Sequence, residues 1–218
     1  MVLRAVLRDL MSGRKQETAA GVDPRPIVLN VGGSSKQIPI PAHYSGWQHW
    51  LLDIDPKGQP DVVCDARELM TLPPARFDAV YCSHNLEHYY RHDAKRVLAG
   101  FLHVLKPDGF TEIRVPDIKA VMERVVESGM DLEDVLYVAP AGPILVRDVI
   151  YGWSKEIERS GRDFFAHKTG FTPASLRGIV QDAGFASVFV AERREQFEVC
   201  ALAFKGEPTA AQRALLGV

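Results

Sequence analysis

The sequence predicts an α/β fold: a doubly wound, mostly parallel seven-stranded sheet with an antiparallel last strand and an inserted helical cap. Three observations carry that expectation. Short apolar runs of strand length alternate with helical periodicity through the first half of the chain, as in a parallel sheet covered on both faces. The runs end on polar or glycine residues, as do strands whose carboxyl ends face a ligand. The last two runs are separated only by a charged turn, which suits an antiparallel hairpin at a sheet edge.

The elements follow in order. Met1 to Gln16 mixes Val2, Leu3, Val6, Leu7 and Leu10 with Arg4, Arg8, Arg14 and Lys15, the spacing of an amphipathic helix with a basic face. It lacks the continuous apolar block and cleavage site of a secretory signal. Residues 1–22 are therefore expected to pack on the domain or on a partner subunit, which leaves a homodimer open. After a polar stretch, Ile27-Val28-Leu29-Asn30-Val31 reads as a buried strand ending at Gly32-Gly33. Trp50 to Ile54 is a second strand, closed by the turn Asp55-Pro56-Lys57-Gly58. Asp61 to Asp65 is a short third, Phe77 to Cys82 a fourth and Phe110 to Val115 a fifth. Between the fourth and fifth, Asp93 to Leu105 has helical periodicity, and Lys106-Pro107-Asp108-Gly109 stops it.

Beyond Asp117 the pattern changes. Ile118 to Ser128, Leu132 to Val138 and Ile144 to Arg159 all read as helices, so 117–172 is expected to form a helical cap and substrate region. A further helix runs from Pro173 to Ala183. Ser187 to Ala191 and Phe197 to Phe204 are the closing strands. With no internal repeat and no linker, 1–218 is expected to be one domain, and its length suits one.

Composition excludes several classes. Hydrophobic residues at 46% and charged residues at 25% are ordinary for a globular protein. A formal net charge of −2 with no basic stripe gives no reason to expect nucleic acid as a partner. No apolar run reaches the about 20 residues of a membrane span. Cys64, Cys82 and Cys200 lie in apolar stretches at spacings that fit neither a metal site nor a redox pair, and so read as reduced core thiols of a cytoplasmic protein.

In an open parallel sheet the ligand lies outside the carboxyl ends of the strands. Those ends are Asn30-Val31-Gly32-Gly33-Ser34, Asp53-Ile54-Asp55, Asp65-Ala66 and Ser83-His84-Asn85. Glycine after the first strand lets backbone approach a ligand closely. Gly32 and Asp53 are separated by 21 residues, near the ~20 at which an acid reaches a nucleotide ribose. Asp65 then stands to accept from an adenine amino group, with Ala66 backbone beside it. A dinucleotide fingerprint would also need glycine at positions 34 and 37, where this chain has Ser34 and Gln37. The crossover after Ser34 is short and carries Pro39 and Pro41, so it does not easily build a helix to hold a pyrophosphate. A ligand with ribose and adenine but no phosphate escapes that need, and S-adenosylmethionine is one.

At these residues the chain resembles a class I (Rossmann-like) S-adenosylmethionine-dependent methyltransferase. The likeness is best over Ile27 to Asp117, and it is similar in particular to a compact bacterial, type-11-like group with a short first crossover. The stretches that carry it are Leu29-Asn30-Val31-Gly32-Gly33, Leu52-Asp53-Ile54, Cys64-Asp65-Ala66, Phe77 through His88 and Leu105-Lys106-Pro107-Asp108-Gly109-Phe110. The resemblance implies that Gly32 lines the methionine moiety, Asp53 the ribose, Asp65 and Ala66 the adenine, and Ser83 the sulfonium side. Asn30, Gly33 and Ile54 complete the expected cofactor set. Asn30 stands where many relatives carry an acid, and Ser34 where they carry glycine.

Methyl transfer is an in-line displacement from a sulfonium, so alignment matters more than functional groups and can supply roughly 7–11 kcal/mol. A base helps when the acceptor must lose a proton. His84, Glu87 and His88 cluster after the fourth strand, and a histidine titrating near pH 6.5 suits that task. His84 and Glu87 are the candidate catalytic groups. The competing reading is that His84 and His88 cap or pack the following helix. No third well-spaced ligand joins them, so no metal is expected. Tyr151, Trp153, Phe164, Phe165, His167 and Lys168 are expected to lid the acceptor pocket, with His167 touching substrate. Trp47, His49 and Trp50 are expected to pack.

The expected activity is methyl transfer to an oxygen or nitrogen of a small molecule or glycan. A non-catalytic binding module of the same fold and a nicotinamide-dependent oxidoreductase are the alternatives; the missing glycines count against the second.

Overall fold

The computed structural model describes residues 23–140 and 142–218. The amphipathic helix expected over 1–22 lies outside the described residues. The sheet has seven strands: β1 (Ile27–Val31), β2 (Gln48–Asp53), β3 (Val62–Val63), β4 (Phe77–Ser83), β5 (Leu105–Pro116), then β8 (Ser187–Arg193) and β9 (Glu198–Phe204). Their spatial order is β3-β2-β1-β4-β5-β9-β8. The first five are mutually parallel, and β9 runs antiparallel to both β5 and β8. The order reverses between β1 and β4, so a crevice opens at the carboxyl ends of those two strands.

The apolar runs form strands because both faces of the sheet are buried, and each face draws alternate residues. Leu29, Val31, Val80, Cys82, Ile113 and Val115 enter one core, beneath α1 (Arg91–Val104) and α5 (Pro173–Asp182). Val28, Ala79, Tyr81, Phe110 and Phe204 enter the other. That second face has no crossover helix between β1 and β2. Its cover comes from Tyr44, in the short 3-10 turn Ala42–Tyr44, from Trp47, and from α6 (Ala210–Leu216). The sequence reading had not foreseen α6, whose start is set by Thr209 accepting from the Gln212 amide. Trp50 packs edge-on against Phe77, and His49 Nε2 lies 3.2 Å from Asn30 Nδ2.

Several boundaries moved for physical reasons. Lys106 to Gly109, read as a helix stop, is a bulge inside β5: Phe77 pairs with Leu105 and Ala79 already with Phe110. Lys106 Nζ is anchored there on the Asp78 carboxylate at 2.8 Å, and Asp78 in turn accepts from the Ile27 amide. Leu132 to Val138 is not helical. Its β-branched and aromatic residues form β6 (Val135–Ala139), which pairs antiparallel with β7 (Gly142–Leu145). Leu136 is buried while its neighbour Val135 is exposed, so the hairpin turns one side chain into the core and leaves the other in solvent. The helix expected over Ile144 to Arg159 is split into α3 (Val146–Tyr151) and α4 (Ser154–Ser160). The insertion after α2 (Ile118–Ser128) is thus a mixed cap of short helices and one hairpin.

Gly152 makes the split between α3 and α4. Its φ of +100° suits glycine alone, and a Cβ there would lie 2.2 Å from the Phe165 carbonyl oxygen. Gly152 also forms a β-bridge with Ala166, which brings the 163–169 segment alongside the end of α3. Gly152→Ala is expected to destabilise the protein by about 1–3 kcal/mol. Urea unfolding measures this, and an unchanged midpoint would remove Gly152 as the determinant of the cap's shape.

Candidate active site

A cleft at the sheet's carboxyl edge, at the ends of β1 and β4, has a volume of about 410 Å³, within the usual range for small-molecule sites. Gly32, Asp53, Ile54 and Asp65 line it, together with Asn85 and Phe164. Each is held there by local chemistry. The Asp53 carboxylate accepts the Ser34 amide at 2.9 Å and the Asp55 amide at 2.8 Å, so it fixes the turns after β1 and β2 together. Asp65 caps the 3-10 turn Ala66–Thr71 through the Arg67 amide at 2.9 Å. It is also gripped by the Arg67 guanidinium at 2.6–3.1 Å. Partial burial pushes the Asp65 carboxyl up, but this fork holds it below the usual carboxylate range. Gly32, at φ +72°, is covered by the Asn85 carboxamide; a Cβ at Gly32 would lie 2.1 Å from Asn85 Nδ2.

A second cavity of about 220 Å³ lies behind this cleft, lined by Tyr137, Ile144, Trp153, His167 and Phe197 among others. His84, His88 and Phe165 line both spaces and form the wall between them. The wall is built by a backbone junction. The Glu87 carbonyl accepts the amides of Lys168 at 2.8 Å and Thr169 at 3.1 Å, and Thr169 Oγ1 donates to the Tyr89 carbonyl at 2.8 Å. This junction brings His167 beside Glu87 and His88, with the two imidazole centroids 4.9 Å apart.

The charges in the wall are specific. His84 sits at φ +49°, an uncommon conformation for a non-glycine residue. Its side chain is 52% exposed, with Nε2 3.2 Å from Glu198 Oε2 and Nδ1 3.6 Å from Glu87 Oε1. Desolvation pulls the imidazole down, but the two carboxylates outweigh it and push His84 up to about 10. His84 is therefore a cation at neutral pH, not the group titrating near 6.5 that the sequence suggested. His167 goes the other way: burial holds it below its ordinary value, and its Nδ1 donates to the Val149 carbonyl at 2.9 Å. Glu87 is 2% exposed, and neither carboxylate oxygen has a hydrogen-bond partner. Burial raises its carboxyl, and the His84 cation more than offsets that, so Glu87 stays ionised.

Of the residues selected from sequence, Gly32, Asp53, Ile54, Asp65 and His84 meet at the first cleft, and His84 and His167 at the second cavity. Asn30, Gly33, Ala66 and Ser83 lie just behind the cleft surface. Asn30 is buried under Gly33, where a Cβ would meet its carboxamide at 2.2 Å. Ala66 is buried at the first position of its turn. In the expected lid, Phe164, Phe165 and Lys168 face the first cleft and Trp153 faces the second cavity, while Tyr151 is exposed and lines neither. Arg67, Tyr89 and Asp93 line the cleft without having been selected. An arginine two residues after a capping aspartate is the one local signal that pointed to Arg67.

Residues 14–113 match the family described as "Methyltransferase domain". No curated protein sequence matches the chain. Among solved structures the chain is similar to a SAM dependent methyltransferase from Archaeoglobus fulgidus, at 17% identity and a TM-score of 0.52, covering 90% of this chain and 94% of that one. It is similar to the PH0226 protein from Pyrococcus horikoshii OT3, at 13% identity and a TM-score of 0.52, over 92% and 89% of the two chains. It also resembles a complex between the Haloferax volcanii Trm112 methyltransferase activator and a putative methyltransferase, at 15% identity and a TM-score of 0.50, over 92% of each chain. At these identities the likeness establishes the fold.

The ion pairs around His84 set an acid limit. Burial pushes Glu198 up, but His84 and Arg193 outweigh it and hold the carboxyl near about 2. A depressed carboxyl stabilises the fold above its unfolded value of about 4.5. That contribution is lost as the pH falls from about 4.5 towards about 2. Glu198→Gln is expected to flatten the fall of the unfolding midpoint across this window. An unchanged acid slope would show that Glu198 does not carry it.

Proposed function

We propose that this chain is a class I, S-adenosylmethionine-dependent methyltransferase that methylates an oxygen or nitrogen of a small molecule or glycan. The observation that carries the reading is the shared wall: a nucleoside-sized cleft and a smaller, largely apolar cavity meet at His84, His88 and Phe165. That is the arrangement a two-substrate transfer requires, with the sulfonium reaching the wall from one side and the acceptor from the other.

In this reading Gly32 and Gly33 admit the methionine end, with Asn30 supporting the loop from below and Ser83 on the sulfonium side. Asp53 accepts from the ribose hydroxyls with the lone pairs left after its two backbone contacts. Asp65 and the Ala66 backbone meet the adenine, and Ile54 packs on it. Asn85 Oδ1, buried without a partner, is an acceptor that the cofactor's ammonium group would satisfy. Residues 117–172 form the acceptor cap of a single domain. Tyr137, Ile144, Trp153 and Phe197 present apolar and aromatic surface suited to a flat acceptor or a sugar face. Three free cysteines fit a reducing compartment such as the cytoplasm.

The chemistry is alignment. The acceptor lone pair forms a bond to the methyl carbon as the carbon–sulfur bond breaks and its electrons pass to sulfur. His167 lines the acceptor-side cavity with the buried Glu87 carboxylate beside it at 4.0 Å, and these are the groups proposed to handle the acceptor's nucleophilic atom. His84, already protonated, does not serve as a base; it is a positioning residue that neutralises Glu87 and Glu198.

Calorimetric titration with S-adenosylhomocysteine tests the cofactor half, with NADH and ATP as controls. Selective binding of S-adenosylhomocysteine is expected. Asp53→Ala is expected to weaken it about 10- to 100-fold, the worth of hydrogen bonds to a charged acceptor. Near-wild-type affinity in a folded Asp53→Ala protein would remove the ribose assignment.

A further inference from the structure

The wall between the two cavities holds a cluster of three side chains of metal-ligating type. Glu87, His88 and His167 each offer an atom within 4.8 Å of those of the other two. Both imidazoles spend Nδ1 on a backbone carbonyl, His88 on Ala166 at 3.1 Å and His167 on Val149 at 2.9 Å. A carbonyl can only accept, so each Nδ1 carries the hydrogen and each Nε2 carries a lone pair. Metal-ligating histidines are held this way, the second nitrogen fixing the tautomer and the ring.

An independent observation points into the same space. The Glu87 carboxylate is buried, and both oxygens lack a hydrogen-bond donor. His84 Nδ1 at 3.6 Å and His167 Nε2 at 4.0 Å are too distant to be hydrogen bonds. Burying a carboxylate without donors is costly. A cation between Glu87 and the two imidazoles satisfies all three groups at once.

We propose that Glu87, His88 and His167 bind a divalent transition-metal ion of the zinc type, leaving a coordination position open towards the second cavity. Two nitrogens and one carboxylate disfavour magnesium and calcium, which take oxygen ligands. Three protein ligands with an open position is the pattern of a catalytic rather than a structural zinc site. The third ligand, His167, is distant in sequence, and the junction at the Glu87 carbonyl delivers it.

The ion's role in transfer rests on the methyltransferase reading; its binding does not. A hydroxyl of the acceptor, coordinated at the open position, loses its proton to solvent at a lowered pKa. Its oxygen then attacks the methyl carbon while the carbon–sulfur bond electrons pass to sulfur. This narrows the acceptor to a molecule bearing a hydroxyl.

The test uses full-length protein stripped with a chelator. Titration with Co²⁺ is followed by visible absorption and titration with Zn²⁺ by calorimetry, with the thermal midpoint recorded alongside. One ion per chain and a midpoint raised by Zn²⁺ are expected. Glu87→Gln, His88→Ala and His167→Ala are each expected to weaken the ion at least about 10- to 100-fold. His92→Ala, at an exposed histidine outside the cluster, is expected to leave it unchanged. S-adenosylhomocysteine titration of the same variants reports whether they remain folded. Cofactor binding without stoichiometric metal, or metal held equally by the folded variants, overturns the site and leaves the methyltransferase reading standing. Metal binding lost in those variants, without cofactor binding by any of the proteins, upholds the site and removes that reading.

Discussion

The carbonyl of Glu87 takes two amide hydrogens from the Lys168–Thr169 segment, and that contact joins the inserted cap to the carboxyl edge of the sheet. The short turn Leu86–His88 after β4 leaves this carbonyl free of helical bonding. It can therefore accept from a segment just over eighty residues away in sequence. Two consequences follow from the one junction. The cap is pinned over the crevice, which divides the space above the sheet into two cavities with a common wall. The same contact sets His167 against the buried Glu87 carboxylate. The Asp55–Arg162 pair at 2.9 Å ties the opposite side of the cap to the end of β2. Being partly exposed, it contributes less than the buried junction.

The electrostatics of the wall depend on who neutralises Glu87. His84 does so from a half-exposed position and is itself shared with Glu198, so one cation serves two carboxylates. Arg193 completes Glu198 at 2.8 Å, but no comparable donor completes Glu87. A buried carboxylate with no hydrogen-bond donor on either oxygen is a departure from the general rule of polar satisfaction. Glu112, equally buried, has His43 at 3.0 Å, Tyr44 at 3.2 Å and Arg114 at 2.8 Å. The contrast between Glu112 and Glu87 separates a carboxylate that holds the fold from one kept ready for something else.

The strand ends that line the first cleft were legible because their signals are local. A strand that must bury both faces spells itself in apolar residues, and its ligand-facing end is marked by Gly32, Asp53 or Asp65. The cap was less legible. Leu132 to Val138 has an ambiguous period, and pairing with Gly142–Leu145, which no local rule announces, decides it as a strand. Ile144 to Arg159 reads as continuous helix because periodicity does not register a glycine whose positive φ is imposed by the distant Phe165 carbonyl. His84 and His88 stood out by type and spacing, but their partners, Glu198 in β9 for His84 and the Ala166 carbonyl for His88, are supplied only by the tertiary fold.

The first crossover connects this local reading to the choice of cofactor. Between β1 and β2 the chain forms only the 3-10 turn Ala42–Tyr44, and its start at Gly32–Gly33 is folded back by the Asp53 carboxylate. A dinucleotide site needs a helix N-terminus at this point, where amides and helix dipole meet a pyrophosphate. Here the Ser34 amide, the nearest candidate for such a contact, already donates to a carboxylate, and that negative charge would oppose a phosphate. The same charge favours a ligand that brings hydroxyls and a sulfonium or ammonium in place of phosphates. Asp53 thus shapes the loop after β1 and keeps a carboxylate at the cleft, where the proposed reading puts a ribose.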